Sequence, residues 1–222
     1  MTLWLTRIQP DLRHRDVRRD LASAVGMHHR LMMLFPDDLG PTARNTLGVL
    51  FRIEDTAGPA RSPQILLQSR EHPDPSRLPA GYGTTTTKDF SALISLLKNG
   101  LAVRYRIDAN PVRKPGHTTR AATGAKAVIP LSGTDADDWW ARQAEERSGL
   151  KLTSTHTTPL TAARGERHQD KHHIRHTRTR FEGTAVITDH TTLQQRILEG
   201  IGRGKSYGCG LLSLAPLTNP AR

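Results

Sequence analysis

Apolar positions along this chain recur with two different periods, and the changes between them mark its elements. Residues 3 to 8 form a short apolar-rich run that reads as a strand. From Asp16 to Phe35 the residues Val17, Leu21, Ala24, Leu31 and Phe35 fall at helical spacing, with Gly26 weakening the helix midway. Strand-like runs follow at 47–53 (LGVLFRI) and 64–69 (QILLQS). A helix then runs from Asp89, a natural N-cap, through Leu97 to Asn99-Gly100, and the strand LAVRYRID occupies 101–108. The order β-α-β-β-α-β is the split unit of a ferredoxin-like, or RRM-like, fold.

The second half repeats that order. A strand at 125–131 (AKAVIPL) precedes a helix at 134–148 opened by Thr134-Asp-Ala-Asp, strands at 150–162 and 176–188, a helix at 191–200 and a strand at 207–215. The expected fold is therefore α+β, with two tandem ferredoxin-like βαββαβ domains covering residues 1–110 and 111–222. Asn110-Pro-Val-Arg-Lys-Pro-Gly, with its prolines and glycine, marks the link. A chain of 222 residues can give each half its own core.

Charge narrows the partners. Lys and Arg number 32 against 21 Asp and Glu, a net charge of +11, which favours a polyanion such as nucleic acid. A membrane is not expected. No apolar run is long enough to span one, and Met-Thr-Leu-Trp-Leu-Thr-Arg meets charge too soon for a signal peptide, so the expected location is cytoplasmic. The single cysteine, Cys209, permits neither an internal disulfide nor a Cys-rich zinc site and reads as a small core residue.

Two segments concentrate the charge. Arg164 to Arg180 carries Arg164, Arg167, Lys171, Arg175, Arg178 and Arg180, and Arg178 and Arg180 lie two apart, so on a strand they share a face able to track a phosphate backbone. The same run holds His168, His172, His173 and His176 at metal-like spacings. Only Asp170 joins them and the surrounding charge repels cations, so no metal and no cofactor are expected. Asp37-Asp38 and Asp137-Asp138 read as helix-end acids.

The second segment is Gly200-Ile-Gly-Arg-Gly-Lys-Ser-Tyr-Gly-Cys-Gly210. Its glycines, Gly202 and Gly204 among them, let backbone N–H groups approach an anion, and Arg203 and Lys205 add fixed charge; a bare helix cap and tight turn is the alternative. Gly204-Lys205-Ser206 is not a nucleotide P-loop, since that motif needs glycine where Glu199 stands and a helix after the loop. G-x-G-x-x-G fails at Lys205 and Tyr207.

His28 and His29 are the candidate catalytic pair. In a continuous helix His28 joins the apolar stripe as a core imidazole. If Ser23 and Gly26 break the helix, His28 falls in the first turn of a second helix, beside free N–H groups that attract phosphate and disfavour imidazolium. A neutral imidazole near phosphate is a general base.

Arg-Arg-Asp-Leu-Ala (18–22) followed by Met27-His28, the Arg-x-Asp-Ala-Asn-Pro run (106–111), Phe181-Glu-Gly-Thr-Ala-Val-Ile-Thr-Asp (181–189) and, above all, the Gly-rich run continuing to Pro216 resemble the CRISPR repeat RNA-processing endoribonucleases of type I-E systems, the CasE or Cse type. The resemblance runs from end to end. It implies tandem ferredoxin-like domains that bind the stem-loop of a CRISPR repeat transcript and cut at the stem base without metal. The ribose 2′-OH attacks phosphorus, leaving a 2′,3′-cyclic phosphate and a 5′-OH. Other subunits of the type I-E interference complex are implied as partners. By position His28 matches the family's catalytic histidine. The family's assisting tyrosine, three residues earlier, is Val25 here, leaving His29, Lys205 and Tyr207 as candidates to stabilise the departing 5′ oxygen. Arg164, Arg167, Lys171, Arg175, Arg178, Arg180, Gly202, Arg203, Gly204, Lys205 and Tyr207 are the expected RNA contacts. A non-catalytic hairpin-binding subunit of the same fold is the alternative.

Overall fold

The computed structural model describes residues 2–40, 42–54, 62–116, 128–167 and 172–217. The first part of the chain runs β1 (Trp4–Pro10), α1 (Arg15–Ala22), α2 (Ala24–Met32), α3 (Ala43–Thr46), β2 (Leu50–Glu54), β3 (Gln64–Ser69), a 3-10 turn at Pro75–Arg77, β4 (Gly83–Asp89) and α4 (Ser91–Ser95). After it come β5 (Ala102–Ala109), β6 (Val112–Arg113), β7 (Ile129–Pro130) and α5 (Thr134–Ala141), which runs into a π-helical turn at Arg142–Glu146. The long strands β8 (Leu150–Arg167) and β9 (His172–Ile187), α6 (His190–Glu199), a 3-10 turn at Lys205–Tyr207 and β10 (Leu212–Pro216) complete the described chain.

Two four-stranded sheets form, ordered β2-β3-β1-β4 and β10-β5-β9-β8. With the strands of each sheet numbered in chain order, both read 4-1-3-2, with every pairing antiparallel. The expected α+β architecture of two ferredoxin-like folds is present. Its strands are shared out differently from the sequence reading. The strand expected at 101–108 does not close the first sheet; as β5 it opens the second, pairing with β9 and β10. The first sheet closes instead with β4, GTTTTKD, which no apolar pattern announces because nearly all of it is exposed. Its threonines are good strand formers, and Thr87 meets Thr6 hydroxyl to hydroxyl at 2.9 Å. Of the strand expected at 125–131, residues 125–127 lie outside the described part, and Ile129–Pro130 pairs only with β6.

The helix expected from Asp16 to Phe35 is two helices. Ser23 adopts extended angles (φ −133°, ψ 117°), ends α1, and caps α2 by accepting Gly26 N–H at 3.1 Å on its hydroxyl. Gly26 itself sits inside α2. A buried ion pair then fixes the angle between the helices: Arg30 Nε donates to Asp20 Oδ2 at 2.6 Å, Tyr82 Oη donates to the same oxygen at 3.2 Å, and Arg30 also reaches Asp16.

Each fold buries its own core, one around Ile8, Leu31, Phe35 and Phe51, the other around Tyr105, Phe181 and Trp140, whose rings stack on Phe181 at 5.6 Å. Polar side chains join them. The buried Arg52 guanidinium on β2 donates to the carbonyls of Arg106 (3.1 Å) and Leu211 (3.0 Å) and to Ser213 Oγ (2.9 Å), and Gln68 Nε2 donates to Ile197 O at 2.8 Å.

β9 pairs with β5 only from Thr179 to Val186; beyond that it and β8 continue alone as a two-stranded arm. The arm folds over the first half of the molecule. A Cβ on Gly165 would lie 2.6 Å from Val25 Cγ2, so the β8 backbone rests on the first turn of α2.

Candidate active site

Four segments meet at the junction of the folds: α2, α3, the Gly-rich loop and the arm. α2 packs against both β8 and the Lys205–Tyr207 turn, which also touches β2. Five glycines shape the loop, and all of them, at 200, 202, 204, 208 and 210, have φ between 75° and 90°. L side chains rarely adopt that region, so the loop's path is written in its glycine spacing. Cys209, turned inward between them, is fully buried with its thiol pushed up to about 12 by burial, which leaves it an inert core group.

His28 is half-buried on α2, in the helix's second turn rather than the expected first, so the free N–H groups of the helix start are not its environment. Its Nδ1 is buried and has no hydrogen-bond partner among the described residues. The imidazole's pKa is lowered to about 4 by burial first, then by the charges of Arg44 and His29. His29, the next residue, is exposed.

Arg44, on α3, carries no motif and sequence reasoning missed it. Its Nη1 donates to Val49 O at 3.1 Å, and its charge acts on His28 of α2. The same cation acts on the loop: Lys205 titrates below the usual ammonium range because of burial, then the charges of Arg44 and Arg196. Arg44 thus links the histidine of the first fold to the lysine of the second.

His176 on β9 was also missed as part of this site. Its ring stacks on Tyr207 at 5.0 Å with planes 20° apart, and Asn110 Nδ2 donates to its Nδ1 at 2.8 Å. Burial, followed by Arg203, lowers its pKa, so it too is held neutral. The Arg-x-Asp-Ala-Asn-Pro run was the only sequence signal for Asn110.

The arm's arginines divide. Arg164 and Arg175 are exposed and directly opposite each other in the β8–β9 register, a like-charge pair. Arg178 and Arg180 do not present a shared phosphate-tracking face. Arg178 Nε donates to Thr161 O at 2.8 Å and its guanidinium lies against Gly208 of the loop. Arg180 makes a two-point ion pair with the buried Asp108 (2.7 and 3.0 Å), its directly opposed partner on β5, and also approaches Glu54. Its charge is spent inside the protein. Lys171 lies outside the described residues, and for Arg167 only the backbone, at the end of β8, is described. Gly202, Arg203, Gly204, Lys205 and Tyr207 all lie on the loop as expected. No group of three or more His, Cys, Asp and Glu clusters as a metal site among the described residues, and none of their helices is long and apolar enough to cross a membrane.

The sequence profile of a family described as CRISPR associated protein matches residues 3–216. The chain belongs to that family. It is 31% identical to the CRISPR-associated endoribonuclease Cse3 of Thermus thermophilus over 96% of this chain and 100% of that one. A solved structure of Thermus thermophilus Cse3 bound to an RNA representing a pre-cleavage complex aligns with a TM-score of 0.79 at 26% identity, covering 97% and 100% of the two chains. A chain of a CRISPR RNA-guided surveillance complex aligns with a TM-score of 0.60 at 33% identity, covering 96% and 100%. Val25 sits at the second position of α2 beneath Gly165.

Proposed function

We propose that this protein binds the hairpin of a CRISPR repeat transcript and cuts it at the stem base by attack of the ribose 2′-OH, without a metal ion. The observation that carries the reading is the position of His28 on α2, the helix that packs against the Lys205–Tyr207 turn, with its pKa lowered to about 4 by burial and by the charges of Arg44 and His29, so that it is neutral at physiological pH.

His28 takes the 2′-OH proton as general base; with Nδ1 buried, Nε2 is the nitrogen that accepts it. The O2′–P bond forms as the P–O5′ bond breaks. Arg44, Lys205 and the N–H groups of the loop hold the negative charge that builds on the phosphate oxygens. Lys205, an ammonium made more acidic by burial and by two guanidinium neighbours, gives its proton to the departing 5′ oxygen and takes the part that Val25 cannot. The products are a 2′,3′-cyclic phosphate and a 5′-OH. Arg164 and Arg175 on the arm grip phosphates of the stem, as fits an A-form helix whose base edges are hard to reach.

Supporting this reading are the likeness to RNA-bound Cse3 and the likeness to a chain of an RNA-guided complex, on which we place this chain with other subunits of an interference complex of type I-E, in the cytoplasm. We place the division between its two folds after Phe90, where the chain leaves the first sheet.

The test is cleavage of a repeat hairpin by wild type and His28→Ala in EDTA. Wild type should cut fully; the variant should lose about 10²- to 10⁴-fold in rate while keeping hairpin affinity. A 2′-deoxy residue before the scissile bond should abolish product. Cutting of that substrate, or loss of activity on chelation, would overturn the mechanism. Val25 favours one second reading, a hairpin-binding subunit without activity, which predicts binding and no product from the wild-type protein.

A further inference from the structure

A second concave site borders the Gly-rich loop, built only from the second fold. Its cavity of about 330 Å³ is lined by Lys114, Gln143, Arg147, Arg196, Arg203 and Lys205, among others, and its lining residues include no Asp or Glu. Five cations thus line one hollow with no acid among its described lining residues, although the charge of Glu199 also reaches Lys205. Arg196 Nε is buried there with no hydrogen-bond partner among the described residues. A buried guanidinium N–H left unpaired is costly, and an acceptor supplied from outside would satisfy it.

Shape decides between parts of the RNA. A cavity of this size is at the low end of small-ligand pockets, about 300–1,000 Å³, which admits one nucleotide and excludes a convex duplex. Unpaired nucleotides are the ones that splay into protein pockets. The site also adjoins the proposed catalytic one: Lys205 and Arg196 line the cavity, and Arg44 acts on both Lys205 and His28. A strand crossing Lys205 at the scissile phosphate reaches the cavity next.

We propose that this cavity holds an unpaired nucleotide flanking the stem, with its phosphate among Lys114, Arg147 and Arg196 and its base beside the Gln143 amide. The inference rests on the hairpin-endonuclease reading above. The nucleotide belongs to either the upstream or the downstream flank, and the two share the same chemistry.

The experiment measures equilibrium affinity for three uncleavable hairpins, each with 2′-deoxy at the scissile position where that position is present: one flush at the stem base, one with an upstream flank and one with a downstream flank. Wild type should bind one flanked hairpin about tenfold tighter than the flush one, and which one it is names the flank. Lys114→Gln with Arg147→Gln, both at exposed positions, should erase that gain, lower the salt dependence of flanked binding by about 0.7 in slope per lost contact, and leave flush affinity unchanged. Arg147→Lys should restore part of it. If neither flank adds affinity in wild type, or if the double variant weakens all three hairpins equally, the nucleotide site is wrong. Failure to bind the flush hairpin at all would sink the hairpin reading and this inference with it; flank-insensitive but tight flush binding sinks the inference alone.

Discussion

At the residue scale the central quantity is the proton affinity of His28. Burial, Arg44 and His29 lower it from 6.5 to about 4, so the base form is present throughout the neutral range. Cleavage should therefore show no decline between about pH 8 and 6 arising from this base and should fall only as pH approaches 4. Arg44→Gln removes one cause of the shift, and the acid limb of the rate profile should move up toward 6.5; an unmoved limb would show that Arg44 does not act on the base. The same shift makes a stability statement. The folded pKa lies below the unfolded one, so the unfolded chain takes up the proton first, and stability falls as pH drops from about 6.5 to 4 and levels off beneath. Denaturation midpoints at the two ends of that window should differ more in wild type than in His28→Ala. Sequence suggested the neutral imidazole, though for a helix-start reason that does not hold; burial supplies most of the shift and Arg44 adds to it, and nothing in the local sequence of Arg44 points to that.

At the element scale the seating of the arm on α2 sets where its arginines lie relative to the histidine. Gly165 is there because a Cβ would meet Val25 Cγ2 at 2.6 Å and Val25 N at 3.1 Å. Gly165→Ala should lift the arm, cost about 1–3 kcal/mol by overpacking, and slow cleavage more than it weakens hairpin binding, since Arg164 and Arg175 move with the arm while His28 does not. Adding Val25→Ala should restore only part of the rate, because the backbone nitrogen remains in the way. Equal losses in rate and affinity would instead mean that the arm acts as a phosphate clamp alone. The arm itself was half legible: its charge was plain, but its strands run almost to the tip, and which arginines face outward depends on partners such as Asp108 that lie far away in sequence.

At the scale of the whole molecule the proposed mechanism requires two folds to stay in register, since His28 and Lys205 come from different ones. Arg52 is one polar tie between them, buried and bonded to two carbonyls and a hydroxyl across the joint. Arg52→Met keeps much of the bulk but strands those acceptors and leaves Glu54 short of a partner, at a cost of about 3–5 kcal/mol. A melting temperature lower by roughly 10 °C, with cleavage reduced at temperatures where the protein remains folded, is the expected result from calorimetry and kinetics. Unchanged melting would show that Arg52 does not hold the joint.

What the chain determined by itself is what short-range physics controls. Helical and strand periods gave most elements, the doubled β-α-β-β-α-β order gave the architecture, and glycines at 200, 202, 204, 208 and 210 gave the left-handed path of the loop, because each depends on backbone preferences that neighbours in sequence impose. Sheet membership was beyond its reach. β5 passes to the second fold and the threonine strand β4 replaces it, since pairing is decided by contacts between distant segments whose local patterns look alike. The site was decided the same way. A histidine at 28, an arginine at 44, a lysine at 205 and a glycine at 165 acquire their chemistry only when the second fold leans its arm across the first, and that approach is a property of packing between sheets rather than of any stretch of sequence.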